Sequence, residues 1–217
     1  MKLAIFDLDE TLIAIDSDHA WGDYAADQGL VDGDNHRAEN RRFYEDYKRG
    51  ELDIDAYLAF SSHVLTQHPL KILYEHRAKF IDTVIRPAIL PKGRELVEQH
   101  RADGHQLVIV TATLEFVTRP IADMLGIEVL IAPIPELLES GYTGKMIGVP
   151  SYGPGKVTRL KSWMKEEGFS LEGSTFYSDS HNDIPLLNLV DTPVAVDPDP
   201  TLAAVAAEKG WTCISLR

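Results

Sequence analysis

The run Leu3-Ala4-Ile5-Phe6, apolar at every position and closed by Asp7-Leu8-Asp9-Glu10-Thr11, does most to limit what this chain can become. Such a run reads as a buried first strand, and open parallel sheets bind ligands at the ends of their strands. Two carboxylates two residues apart repel each other unless a cation lies between them. A hard divalent ion such as Mg²⁺, which takes oxygen ligands and keeps several waters, suits that position. Taken alone, the same residues also suit a solvated turn leading into a helix cap.

The rest of the chain falls into two patterns. From about Ser17 to Asp82 no strand-like run occurs. Helical spacing appears instead at Trp21, Tyr24 and Ala25, at Phe43, Tyr44 and Tyr47, at Tyr57, Leu58 and Phe60, and at Ile72, Leu73 and Phe80. Turn signals at Asp32-Gly33, Gly50 and His68-Pro69 divide this stretch into three or four helices. From Pro87 onward helices and strands alternate as in a doubly wound sheet, with strands predicted at Gln106–Thr111, Glu128–Ala132, Ser174–Ser178, Pro193–Val196 and Cys213–Leu216. A hairpin or flap is expected around Gly141-Tyr142-Thr143-Gly144. The fold class is therefore α/β, a Rossmann-like parallel sheet with a small helical unit inserted after the first strand. The expected division is a core of residues 1–14 and 87–217 and a helical cap of residues 15–86.

Three later motifs extend the first. Gln106-Leu107-Val108-Ile109-Val110-Thr111 is a β-branched strand ending on a hydroxyl. Gly153-Pro154-Gly155-Lys156 is a turn with a lysine in the first turn of the following helix; it is not a P-loop, since Pro150 and Val157 depart from that pattern. Phe176-Tyr177-Ser178-Asp179-Ser180-His181-Asn182-Asp183 is a strand ending on carboxylates four residues apart. Singly, these residues are better read as ordinary strand ends, caps and exposed helix positions. In this order, from Asp7 to Asp183, they resemble the four motifs of the haloacid dehalogenase superfamily. The helical block after the first strand is similar to the cap of its phosphoserine-phosphatase-like branch.

The resemblance implies an Mg²⁺-dependent phosphomonoester hydrolase. Asp7 would be the nucleophile, forming an aspartyl-phosphate, and Asp9 the general acid and then the base for water. Asp7, the Asp9 backbone carbonyl and Asp179 would hold the metal, and Thr111, Lys156 and Asn182 would bind phosphate. Asp183 would orient Lys156 or metal-bound water. Members that break carbon–halogen bonds lack the second acid, so Asp9 points to phosphate chemistry. A phosphotransferase acting on an alcohol acceptor remains an alternative.

Substrate signals lie at Ile15-Asp16-Ser17-Asp18-His19-Ala20-Trp21. In the resembling branch an acid at the position of Asp16 meets the substrate ammonium. Asp18 adds a second charge, and Trp21 a face for a cation or a flat ring. Arg41 and Arg42 are candidates for a substrate carboxylate, and His181 for the phosphate or leaving group. An acidic helix cap accounts for Ser17-Asp18 equally well. The D-S-D-x-x-W hinge resembles a bacterial subgroup that includes histidinol-phosphate phosphatases. L-Histidinol phosphate is accordingly the expected substrate, with phosphoserine the alternative.

Composition sets the outer bounds. At 217 residues and 44% apolar content the chain can bury a substantial core, and its formal charge of −13 opposes nonspecific binding to nucleic acid or anionic membranes. No signal-type or membrane-spanning stretch is evident. The single cysteine, Cys213, has no partner within the chain and is expected as a buried thiol, which suits a reducing cytoplasm. The histidines show no metal-site spacing, and His63, His68 and His76 are expected as solvated positions. No oligomeric state is specified.

Overall fold

The computed structural model describes residues 1–217. Its main sheet has six parallel strands in the order β3-β2-β1-β6-β7-β8. These are β1 (Leu3–Phe6), β2 (Gln106–Val110), β3 (Val129–Ile131), β6 (Thr175–Ser178), β7 (Thr192–Val196) and β8 (Thr212–Ile214). β1 is central. Its Ala4 and Phe6 side chains join one hydrophobic layer and Leu3 and Ile5 the opposite one, which is why all four positions are apolar. The order runs outward from β1 to β3 and then resumes on the other side at β6. The carboxyl ends of β1, β2 and β6 therefore meet at a topological switch point, where such sheets bind ligands.

Four helices follow β1: α1 (Ser17–Asp27), α2 (Gly33–Arg49), α3 (Ile54–Gln67) and α4 (Leu70–Phe80). Asp16 caps α1 by accepting from the Asp18 and His19 amides at 3.0 and 2.8 Å. In α2 the buried residues His36, Asn40 and Phe43 recur at helical spacing on the face turned inward. α4 continues through a wide π turn, Ile81–Ile85, and the short α5 (Arg86–Ala88) back to the sheet. The two connections between sheet and helical block lie antiparallel and are bonded together, Ala14 N–H to Ala88 O at 2.8 Å and Leu90 N–H to Leu12 O at 3.1 Å.

The remaining helices cover the sheet: α6 (Pro91–Ala102), α7 (Glu115–Met124), α8 (Pro154–Glu167), α9 (Ile184–Leu187) and α10 (Pro200–Lys209). One hydrophobic layer runs continuously from Phe6, Leu107 and Ile109 beneath the sheet to Trp21, Leu58 and Phe80 among the inserted helices. No helix is long and apolar enough to cross a membrane.

Several expectations change. The hairpin is real but placed differently: β4 (Ile134–Leu138) pairs antiparallel with β5 (Gly141–Ile147), so Gly141–Gly144 lies within the second strand. It is not a free flap, because Ser62 of α3 donates to Gly144 O. Cys213 is exposed rather than buried, since β8 is an edge strand paired only with β7. Of the histidines expected in solvent, His68 Nε2 contacts Leu30 O at 2.6 Å and His76 Nδ1 meets the Tyr24 hydroxyl at 3.3 Å.

Candidate active site

Asp7 leaves β1 into the cleft and is almost fully buried. Its Oδ1 accepts from Lys156 Nζ at 2.8 Å, and the same ammonium donates to Asp183 Oδ2 at 2.8 Å. Ser178 Oγ adds a bond to Asp183 Oδ2 at 2.7 Å. Three elements far apart in sequence thus place a cation between two carboxylates. The tight entry into α8 explains Gly155: a Cβ there would lie 2.0 Å from Pro150 O, so only glycine lets the helix start against the loop that leads into it. Burial pushes the Asp7 carboxyl up to about 7, against the pull of Lys156. Burial pulls the Lys156 ammonium down, but Asp183 and Asp7 outweigh it and hold its pKa above the usual lysine value.

Asp9 is held from two sides. Its Oδ1 accepts the Ser17 amide at 2.7 Å, and its Oδ2 accepts Thr113 Oγ1 at 2.8 Å, with Thr111 Oγ1 at 3.5 Å. Burial and the nearby Asp16 raise its carboxyl to about 6. The Asp9 carbonyl and the amides of Asp9 and Ala112 make no hydrogen bond within the protein, although both residues line the cleft. They leave one acceptor and two donors unspent where a cation and a phosphate would arrive.

Asp179, just past the end of β6, accepts from Thr11 Oγ1 at 2.9 Å, and its own amide donates to the same hydroxyl oxygen at 3.1 Å. Burial, then the charge of Asp7, lifts its carboxyl well above the normal range. These groups fit a hard divalent cation. Asp7 is a buried acid whose charge raises the pKa of Asp179, the Asp9 carbonyl is an idle oxygen donor, and Asp183 Oδ1 is buried without a partner. Two carboxylates and a carbonyl form an incomplete oxygen set of the kind Mg²⁺ completes with water.

A family model described as haloacid dehalogenase-like hydrolase matches residues 4–188, spanning all of these groups. The chain belongs to that family. Within the haloacid dehalogenase-like hydrolases, full-length similarity to a histidinol-phosphatase marks it as a phosphatase. A histidinol-phosphatase of Neisseria meningitidis serogroup C (strain 8013) is 45% identical to it over 220 residues, covering all of this chain and 99% of that one. The crystal structure of a protein of unknown function from Bordetella pertussis Tohama I superposes with a TM-score of 0.94 at 40% identity, covering 100% and 99% of the two chains. A phosphoserine phosphatase structure with a phospho-aspartyl intermediate analogue shares the fold, with a TM-score of 0.72 at 20% identity over 98% of this chain and 92% of that one.

Above the acids of this phosphatase opens a partly enclosed cavity. Asp7, Asp9, Asp16, Thr111 and Asp179 line it, as do Glu10, His19, Asn40, Phe43, Tyr44, Tyr47 and Tyr57 from the first loop and inserted helices. Neither lysine nor arginine does. Other expected residues lie elsewhere. Trp21 is 2% exposed and packs among Tyr24, Phe80 and Phe116, in the core rather than at the cavity wall. Asp18 is buried behind Tyr57, whose hydroxyl donates to it at 2.6 Å. Asn182 is a fastening between inserted helix and sheet, donating to Tyr47 O and accepting from Tyr152 Oη. His181 Nδ1 is taken by Asp199 at 2.9 Å. Arg41 is exposed, and Arg42 spends its guanidinium on Glu39 and Asp46 of its own helix. The sequence reading missed Thr113, Ser178, Tyr57 and the role of Thr11. Thr11 and Ser178 carried a signal, as members of the first and the last acidic motif.

Proposed function

We propose that this phosphomonoester hydrolase works through Asp7 as nucleophile on the phosphate of a small cationic alcohol, L-histidinol phosphate above all. The observation that carries the chemistry is the pairing of Asp7 with Asp9. Asp7 has one oxygen spent on Lys156 and the other without a protein donor, while Asp9 is fixed by Ser17 and Thr113 beside it. In the first step the free Asp7 oxygen bonds to phosphorus, the bond to the leaving oxygen breaks, and Asp9 gives that oxygen its proton. In the second step Asp9 takes a proton from water, the water oxygen bonds to phosphorus, and the bond to Asp7 breaks. A carboxyl raised toward neutrality by burial is suited to both transfers.

Lys156 neutralises part of the charge that gathers as a phosphate dianion meets a carboxylate. Thr111 and the amides of Asp9 and Ala112 would receive the phosphate oxygens, and Asp183 would keep Lys156 aimed at Asp7. Asp7, Asp179 and the Asp9 carbonyl would hold Mg²⁺, which when bound supplies positive charge and orientation to the phosphate. The helices of residues 15–86 would act as the cap that excludes water from Asp7.

The cavity's composition supports the substrate. Asp16 spends Oδ1 on two amides, and Oδ2 has no protein donor, so it can meet an ammonium. With no lysine or arginine in the lining, the carboxylate of phosphoserine would enter an acidic site without a cation. The lone cysteine and the absence of an apolar spanning helix agree with work in the cytoplasm.

The test is phosphate release with Mg²⁺ and with EDTA, on histidinol phosphate, phosphoserine and a panel of sugar and nucleotide monophosphates. Preference for histidinol phosphate, abolished by EDTA, is expected. Preference for phosphoserine would overturn the substrate, transfer to an added alcohol in place of water would overturn hydrolysis, and EDTA-resistant turnover would overturn the metal.

A further inference from the structure

Tyr57 reaches the cavity from α3, and Asp18 stands behind it on α1. The phenol has one proton, and it goes to Asp18 Oδ2 at 2.6 Å. What it still offers the cavity is the oxygen lone pairs alone. Asp18 is 4% exposed, its other oxygen is buried without a partner, and Tyr57 is the only donor on its side chain. We propose that Tyr57, held by Asp18, is a specificity-determining hydrogen-bond acceptor for a second N–H group on the leaving alcohol, beyond the ammonium assigned to Asp16. This deepens the proposed function and rests on it.

The arrangement selects in both directions. A heteroaromatic N–H entering between Phe43, Tyr44 and Tyr57 meets an oxygen whose proton is already committed to a carboxylate. That bond polarises the phenol oxygen and strengthens it as an acceptor. The rings around it suit a flat cation: Phe43 packs edge-on against Tyr57 with centroids 5.4 Å apart, and His19 stacks on Tyr44 at 4.6 Å. A leaving group presenting a carboxylate would instead need a proton from Tyr57. Taking it would leave Asp18 buried with no donor on either oxygen, a loss the site cannot recover elsewhere. Burial and the charge of Asp18 also keep the phenol pKa well above its usual range, so Tyr57 holds its proton throughout. Asp18 touches no substrate in this scheme; it is a positioning residue acting through Tyr57.

Histidinol phosphate carries both an ammonium and an imidazole N–H, and ethanolamine phosphate only the ammonium, so their ratio of kcat/KM isolates the second contact. Wild type should favour histidinol phosphate. Tyr57→Phe, which keeps the ring against Phe43, should reduce that ratio by about 10- to 100-fold, mainly through KM. Asp18→Asn, whose amide oxygen can still accept the Tyr57 proton, should reduce it less and in the same direction. Calorimetric binding of histidinol itself should weaken in the same order, a readout independent of turnover. A ratio unchanged in Tyr57→Phe, or equal losses on both substrates accompanied by a fall in Tm, would overturn the assignment and leave Tyr57–Asp18 as a link between helices. If wild type itself showed no preference for amine-bearing phosphates, the proposed substrate would fall and this inference with it. Wild-type preference with indifferent variants would remove this inference alone.

Discussion

Replacing Lys156 with methionine tests the electrostatics of the site without altering its shape much. The ammonium lies 2.8 Å from both Asp7 Oδ1 and Asp183 Oδ2, and the three side chains are at most 5% exposed. Lys156→Met keeps an unbranched apolar stem but leaves two acids buried with no cation. Removing one partner of a buried ion pair costs about 3–5 kcal/mol, because the remaining charge is neither hydrated nor matched. Asp183 keeps its bond from Ser178, whereas Asp7 keeps no side-chain donor, so the loss should fall within that range rather than below it. For a chain of this size it corresponds to a drop in Tm of about 6–20 °C. Urea denaturation with EDTA present, so that no divalent ion substitutes for the lysine, gives the number. The double variant Lys156→Met/Asp183→Asn removes one of the stranded charges and should recover at least half of the loss, while remaining inactive. A single variant within about 1 kcal/mol of wild type would refute the reasoning, since ordinary surface substitutions move stability by less than that.

Two further perturbations act on neighbouring parts. Burial raises Asp18 to about 7, so the fold favours its protonated form and wild-type stability falls as pH rises from about 4 through 7; Asp18→Asn does not titrate and should gain on wild type by about 2–4 kcal/mol between pH 5 and pH 8. Equal differences at both pH values in denaturation curves would mean that Asp18 is not buried as a charge. Gly22 lies where a Cβ would come within 2.6 Å of the Asn40 amide, which is itself bonded to His19 O at 2.9 Å; Gly22→Ala should cost about 1–3 kcal/mol and raise KM as the cavity wall shifts. An unchanged Tm and KM would show that α1 and α2 can separate freely.

How far the sequence foretold this site depends on where each residue's constraint originates. β1 and its acids were legible because a strand buried on both faces is apolar throughout, and charges at its end interrupt the pattern. Lys156 and Asp183 were legible through their order along the chain rather than through any local signal. Thr113 was not, because a hydroxyl just past a strand is an ordinary turn residue until Asp9 is seen to lean on it. Tyr57 was read as one of several apolar helix positions, since its partner Asp18 lies 39 residues away on another helix. Trp21 was misread for the opposite reason. Its place beside acids suggested a site, while its spacing with Ala25 on the buried face of α1 was the truer signal. Arg41 and Arg42 looked free, yet Glu39 and Asp46, three and four residues from Arg42, were in view to occupy it. Cys213 followed the rule that free cysteines are buried, which an edge strand does not obey.

The central claim is that Asp7 itself becomes phosphorylated. Rapid acid quench of wild-type enzyme during turnover of histidinol phosphate with Mg²⁺, followed by peptide mass analysis, tests it directly. One phosphoryl group on the peptide containing Asp7 is expected, with its loss in Asp7→Asn along with turnover, while that variant keeps its fold by circular dichroism. A phosphoryl group on another residue, or steady turnover by Asp7→Asn, would contradict it.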